Sequence, residues 1–500
     1  MARVLLINPS YRGCYAGVKA SIVDPIFPTL ALATTAAAAE QRGHRVELLD
    51  LSHRPYDPAE IQARLRACSP DIVGVTATTP LMNQLRDISL MVKDLSGSIR
   101  VVGGGPHPSA LPRETLLESH LDAVVVGEAD VSFGELCDGA DLRDIAGLVV
   151  RDGDATLATP PRAPIEDLDS LPIPAWHLFP LESYRRHFSR LFARRVPMVT
   201  AEFSRGCVFS CDFCASKVTL SGHHRKKSPE RCAEEVGQMD RLGIREFQLA
   251  DDVFTLDRRW AARVAEAVAA TGVDMPWTCT NGIRVESADE GLFRALRRAG
   301  CYRVAFGLES GSNEVLRAFG KGGRASVEAA VRAVRAARRA GVESFGFFML
   351  GLSADTERTM QQTIDFARSL PLDMLKFSRC VAFPGSAMFR DYARRGLIRS
   401  FDWDDYHIYS ADRLFDHPGL DDETIVRYMG RAYREAILYN PRFFLRRLAR
   451  GLRTGELLWD AYYLLRFSLM RETDHTPRAR YYAPERWRRH DFSSSDWSPP

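Results

Sequence analysis

The sequence contains no apolar run long enough to cross a bilayer, since a spanning helix needs about 20 predominantly apolar residues in succession. Its opening, MARVLLINPS, meets Pro9 too soon to read as a secretory leader and reads instead as a first buried strand. Net charge is also small: 67 Lys and Arg against 64 Asp and Glu leave +3. Such a balance gives no field to hold a polyanion, so no nucleic-acid partner is expected. The basic run HHRKK at 223–227 reads as a solvated face or a substrate-side loop. Cysteine is sparse, with ten in 500 residues and no pairing framework. With no export signal, reduced thiols and a cytoplasmic home are expected. What remains is a globular composition, 45% apolar and 26% charged, in a chain too long for one core.

The first 150 residues alternate short β-branched runs with helical stretches. RVLLIN (3–8), RVELLD (45–50), DIVGVTA (71–77), IRVVGGG (99–105) and LDAVVVG (121–127) read as buried parallel strands. Amphipathic or Ala-rich segments separate them, which predicts an open, doubly wound α/β sheet. Ligands of such sheets sit at the carboxyl ends of strands. There the loops include NPSYRG, TATTP and GGGPHPSALP, whose Gly103, Gly104 and Gly105 would let a backbone approach a ligand closely. Residues 151–196 are Pro-rich with little periodicity and form a linker, expected to pack on its neighbours through Trp176 and Phe179. A second βα alternation fills 197–395, with six strands at 198–204, 246–252, 275–281, 303–310, 344–350 and 374–380. Six units rather than eight predict a partial (β/α)6 barrel. From 396 to 500 the chain reads as a helical domain rich in Arg and aromatics, ending in a polar, poorly ordered tail.

Three of the few cysteines crowd into FSRGCVFSCDFCAS as Cys207, Cys211 and Cys214, just after the first barrel strand. A structural zinc site draws on four ligands, which His223 or His224 could complete. Alternatively, three thiolates hold three corners of a four-iron cube and leave the last iron open to an exogenous chelator. Cys232, Cys279, Cys301 and Cys380 are scattered and read as small buried residues.

Cys-x-x-x-Cys-x-Phe-Cys in this position resembles the radical S-adenosylmethionine superfamily. The resemblance implies a 4Fe-4S cluster on Cys207, Cys211 and Cys214, with S-adenosylmethionine chelated at the open iron. Phe213 would then lie on the adenine side. Asp251 and Asp252 of LADDVFTLD, Asn281 and Arg284 of TNGIRVE, and Glu309 of FGLESGS end successive strands and become candidate cosubstrate contacts. Pro384 and Gly385 of AFPGS would shape the adenine pocket. Helix capping is the alternative reading for Asp252 and Glu309.

An α/β domain ahead of this barrel is similar to the cobalamin-binding subclass, and the similarity follows the chain order from LLINPS through VVGGGPHPSALP and VVVGEAD to YREAILYNPRFFLRRL. It implies a Rossmann-like cobalamin domain over 1–150, with Asn8, Thr76, Gly103, Gly104, Gly105, Gly127 and Glu128 as corrin contacts. LLDLSHRPYD lacks the spacing of a lower-ligand histidine, so His53 is expected at the surface. The activity implied is methylation of an unactivated carbon or phosphorus centre of a small molecule. One S-adenosylmethionine would methylate the cobalamin and a second would be cleaved to a hydrogen-abstracting radical. A rearrangement, cyclisation or ring contraction without methyl transfer is the alternative. An electron donor such as flavodoxin or ferredoxin is implied as partner. Tyr433, Tyr439 and Phe443 are expected to help close the substrate cavity.

Overall fold

The computed structural model describes residues 1–14, 27–186, 192–281, 283–321, 325–406, 414–469 and 479–493. Two sheets dominate it, one mainly and one wholly parallel. The first contains β1 (Arg3–Asn8), β2 (Arg45–Asp50), β3 (Ile72–Thr76), β4 (Arg100–Gly104), β5 (Ala123–Val125), β6 (Leu148–Asp152) and β7 (Ala155–Ala158) in the order β2-β1-β3-β4-β5-β6-β7. Strands β1 to β5 run parallel, and their runs are buried on both faces, as continuous β-branched stretches require. The order reverses between β1 and β3, which opens a crevice at their carboxyl ends. Strands β6 and β7 add antiparallel to this sheet. The first sheet therefore runs past residue 150 and takes the start of the expected linker, because Leu148, Val149 and Val150 bury beside β5. The remaining linker packs as expected: Trp176 and Phe179 are buried, and Ala175 N–H donates to the Ala33 carbonyl at 2.9 Å.

The second sheet is β8 (Met198–Ala201), β11 (Glu246–Leu249), β12 (Trp277–Cys279), β13 (Cys301–Glu309), β14 (Glu343–Leu350) and β15 (Met374–Arg379), all parallel and in sequence order. Between β8 and β11 a short antiparallel ribbon forms from β9 (Ser204–Arg205) and β10 (Arg225–Lys226). Helices such as Pro229–Arg241, Arg258–Ala270, Val327–Arg339 and Glu357–Ser369 follow the strands and bury one apolar stripe each. This is the expected six-strand partial barrel. Its thiol-bearing end lies at the strands' carboxyl termini, and its floor at their amino termini.

The C-terminal region binds both units rather than forming a separate domain. Trp403 is fully buried, donates from Nε1 to Glu118 at 3.1 Å and meets His107 edge-on. Of the expected disordered tail, 471–478 and 494–500 lie outside the described residues, whereas 479–493 packs on the first domain. There Tyr482 N–H donates to Asp87, Arg486 pairs with Asp94, and Phe492 stacks on Phe401. No helix among the described residues is long and apolar enough to cross a membrane.

Candidate active site

The thiols lie on a loop between β9 and β10 that is fastened at several points. Cys207 N–H donates to the Ser221 carbonyl at 3.3 Å, which draws the loop's ends together. Gly206 has φ +90°, and a Cβ there would sit 2.1 Å from the His223 carbonyl oxygen, so no other residue fits before Cys207. Mid-loop, Asp212 N–H donates to Phe319 O at 3.0 Å, and its own carbonyl accepts from Met388 N–H at 2.8 Å. Cys207 and Cys211 are thereby half-buried, and Cys214 is exposed. Burial pushes the Cys211 thiol up to about 11, against the pull of Lys321 and Arg284. A metal would be what makes it a thiolate at neutral pH.

Among the described residues no three His, Cys, Asp or Glu side chains converge on a single ion. His224 instead meets Trp260 edge-on, and His223 N–H is held by Ser221. Three thiols on a fastened, half-open loop, with two cationic side chains close enough to bias Cys211, fit an anionic multi-iron cluster bound one corner per sulfur.

The cosubstrate candidates divide into two sets. Asp251 is fully buried: Oδ1 accepts from Phe203 N–H at 2.8 Å and Oδ2 from the Ser204 hydroxyl at 2.5 Å. Burial raises its carboxyl to about 8. It therefore holds the chain entering the thiol loop and is withdrawn from any ligand, which corrects its expected role as a contact. Asp252 is only partly buried, its Oδ2 has no partner, and burial with the Glu202 charge raises it to about 6. It also bears electrostatically on Cys207. The capping alternative fails at both sites, because Asp257 caps the Arg258–Ala270 helix and Ser312 caps Asn313–Ala318.

Glu309 ends β13 with φ +58° at a register shift, an unusual backbone for a residue with a side chain. Its Oε1 accepts from Lys321 Nζ at 2.9 Å. Arg284 lies over the Phe209 ring at 3.4 Å and pairs with Glu286. Arg284, Glu309 and Lys321 all bear on Cys211, so they gather round the thiol loop. Asn281 is exposed at the end of β12. Phe213 is half-buried against Phe319, ring centroids 5.4 Å apart. Pro384 is buried, while Gly385 sits where a Cβ would come 2.9 Å from Val218 and 3.0 Å from Ala110. That turn is a three-way junction of barrel, thiol loop and first domain.

A cleft with a cavity volume of about 260 Å³, open on one side, lies at the crevice of the first sheet. Thr76, Gly103, Gly104, Gly105, Gly127 and Glu128 all line it, together with Glu202, Arg205, Thr219 and Leu220 from the barrel side. The three glycines serve different ends. A Cβ at Gly103 would strike Leu121 at 2.6 Å, Gly104 faces open space, and Gly105 turns at φ +102° against Thr76 and Ala77. The flat, mostly apolar wall that results, bare at Gly104, fits a broad planar ring. Asn8 is corrected: it is fully buried and donates from Nδ2 to Thr29 and Asp50, away from the cleft. His53 is corrected too. It is buried beside Tyr184, not at the surface, and does not line the cleft.

The residues that join the cleft to the loop carry the clearest signal missed in sequence. Arg205, two positions before Cys207, is buried and pairs with Glu128 at 3.0 Å, Asp130 at 2.9 Å and Glu202 at 2.6 Å. Arg225 pairs with Glu128 at 2.7 Å. Burial raises the Glu128 carboxyl, and the two guanidiniums offset that only in part. Lys227 is likewise buried against Glu235, so the HHRKK run is split: Arg225 and Lys227 form internal ion pairs, while His223 and Lys226 stay exposed. Lone charges in a sequence do not announce a partner 75 residues away.

Comparison with known proteins decides the family. A Radical SAM superfamily model matches residues 201–367 and a B12 binding domain model matches 20–137. An uncharacterised methyltransferase of Pyrococcus horikoshii, PH0819, is 30% identical over 466 residues, covering 90% of this chain and 98% of its own. The chain belongs to the cobalamin-binding radical SAM enzymes. Its cofactors are accordingly a 4Fe-4S cluster, S-adenosylmethionine and cobalamin. Cytidylyl-2-hydroxyethylphosphonate methyltransferase of Streptomyces wedmorensis is 25% identical, covering 87% of this chain and 89% of its own. The radical S-adenosylmethionine methyltransferase TsrM of Kitasatospora setae shares the fold at TM-score 0.66 and 20% identity, covering 78% of this chain and 76% of its own.

Proposed function

We propose that this enzyme is a methyltransferase that acts on an unactivated carbon, or a phosphorus, of a small-molecule biosynthetic intermediate. The observation that carries the reading is the shared wall: Glu202, Arg205, Thr219 and Leu220 line the first domain's cleft while flanking the thiol loop. A substrate held between that cleft and the thiol loop would meet both cofactors. When bound, the cofactors supply one-electron cleavage of S-adenosylmethionine and a transferable methyl group. The chain's own part is placement. The Arg205–Glu128–Arg225 cluster fixes the cleft against the loop, and Asp251 sets the loop's entry. Asp252, Asn281, Arg284, Glu309 and the Pro384–Gly385 turn supply polar and backbone groups for the cosubstrate, with Phe213 as an apolar wall. Relatives named as methyltransferases support the choice. A cytoplasmic location and a flavodoxin- or ferredoxin-type reductant belong to the same proposal.

The second reading, a cofactor-equivalent enzyme without methyl transfer, draws on a relative named anaerobic magnesium-protoporphyrin IX monomethyl ester cyclase in Rubrivivax gelatinosus, 26% identical over 454 residues. Mass spectrometry of anaerobic turnover separates the two. S-adenosylhomocysteine formed with 5′-deoxyadenosine supports methylation, and 5′-deoxyadenosine alone leaves only the second reading.

A further inference from the structure

The barrel floor combines exposed apolar side chains with an excess of arginine. Two antiparallel helices, Pro441–Thr454 and Leu457–Leu469, lie against it and are clamped by Arg447 with Asp460. The first turns Phe443, Arg450 and Gly451 inward and leaves Phe444, Leu445 and Leu452 outward. Along the second, Leu458, Tyr462, Leu465 and Leu469 recur at steps of four, three and four, which puts them on one face. Phe444, Leu452, Leu458 and Leu469 are 66–80% exposed. Large apolar side chains gathered on neighbouring helices mark an interaction surface rather than scattered exposure.

What covers it is indicated by the adjoining charge. Between the Pro441–Thr454 helix and the strand starts lies a cavity of about 680 Å³ lined by Arg194, Arg297, Arg338, Arg446, Arg450 and Arg453. Only Glu343 and Asp373 among its lining residues are acidic. Glu343 is already shared by Arg194, Arg303 and Arg450. No carboxylate among the described residues pairs with Arg297, Arg338 or Arg453. Arg446 is driven below its usual range by burial and by repulsion from Arg338. The cavity is thus short of negative charge beside a helix whose outward face is apolar.

We propose that this floor docks on an anionic phospholipid surface, with the outward residues of the two helices entering the headgroup boundary and the arginine cavity receiving lipid phosphate. Apolar and aromatic side chains flanked by arginines are what an interfacial helix presents to such a membrane. At 13 residues, about 20 Å, the Leu457–Leu469 helix is too short to span a bilayer but long enough to lie in its plane. A second copy of the chain fits less well, because a two-fold contact would bring two arginine-rich patches of the same sign together. Docked this way, the protein turns its thiol loop away from the lipid, so the membrane locates the enzyme and its reaction mouth stays open to the aqueous side.

Vesicle flotation with the full chain tests this. Binding to phosphatidylglycerol vesicles, absent with phosphatidylcholine and lost on adding salt, is expected. Arg338→Glu with Arg453→Glu, and separately Leu458→Asp with Leu465→Asp, should each weaken it about tenfold or more while iron content and thermal unfolding stay as in the parent. All four residues are exposed, so the fold is not at risk. No flotation with phosphatidylglycerol overturns the proposal, as does equal flotation with phosphatidylcholine. Two further results also overturn it: a dimer by light scattering that Leu458→Asp dissolves, and saturable binding of inorganic phosphate without vesicle binding.

Discussion

The two ends of the barrel handle buried charge in opposite ways. At the mouth, carboxylates outnumber their partners: Asp252 keeps an unpaired oxygen, and Asp212 is raised to about 6 by burial with its Oδ1 unpaired. At the floor, arginines are in excess. Glu343 serves three guanidiniums that overcome its burial and hold it below the usual carboxylate range. A mouth with unspent acceptors can take a donor or a cation, whereas a floor whose Glu343 is already shared by three guanidiniums keeps surplus positive charge for an anion. The floor's arginines left over are free to face outward. Tyr302 and two backbone N–H groups satisfy Glu246 there, although burial still raises it to about 7.

The sharpest way to break this contrast is to remove a mouth thiol. Cys211→Ala should eliminate the iron, the visible cluster absorbance and all turnover while the apo-protein's unfolding changes little, since a half-exposed loop carries little core. Iron analysis with thermal denaturation checks it, and activity retained without Cys211 would refute the site. Next in size is the floor. Glu343→Gln leaves Arg194, Arg303 and Arg450 without their shared carboxylate and should cost about 3–5 kcal/mol in denaturant unfolding. Reconstituted iron content should not change, and an equal loss of iron would show that the two ends are not independent.

Acid and base act oppositely on Glu343 at the floor and Asp251 at the mouth. Glu343 has a folded pKa below its unfolded value, so its contribution is present above the unfolded value of 4.5 and is lost as pH falls through the folded one. Asp251 is raised from 3.8 to about 8, so the folded state holds a proton the unfolded state has released. Stability from that group is therefore full below about pH 4 and declines as pH rises to 8. Asp251→Asn should flatten the decline over that window, with near-parent stability at acid pH, as measured by urea midpoints across pH. A slope identical to the parent's would mean the carboxyl ionises normally. The smallest effect belongs to Tyr439, 73% exposed on the outer side of the C-terminal helices. Tyr439→Ala should shift stability by no more than about 0.5 kcal/mol and leave turnover within about twofold. A larger fall in turnover would restore Tyr439 as a cavity-closing residue. Tyr433, by contrast, is fastened to the Phe377 carbonyl at 2.9 Å, and Phe443 is buried in packing.

Much of this was legible because it is written locally. Strand runs such as RVLLIN and EFQL and the spacing of Cys207, Cys211 and Cys214 each depend on neighbours a few residues apart. Periodicity and spacing therefore determined two βα units, their order and the thiol loop. They also brought Thr76 and Gly104 to one cleft, since strand ends gather wherever a parallel sheet reverses order, while Gly127 came from the family resemblance.

The fates of single polar residues were settled only by tertiary structure. Asn8 and Asp251 carry the right chemistry at the right strand ends, yet both turn inward to fasten backbone and side chains. Adjacent Asp251 and Asp252 diverge in the loop after β11, where Asp251 turns to Phe203 N–H and the Ser204 hydroxyl and Asp252 does not. Arg205 reads as an ordinary basic residue until Glu128 and Asp130 of the first domain close on it. Sequence fixes which groups exist and the local shape that carries them. Whether a charge is spent inside or left for a ligand depends on contacts tens to hundreds of residues away, and those exist only once both sheets have packed.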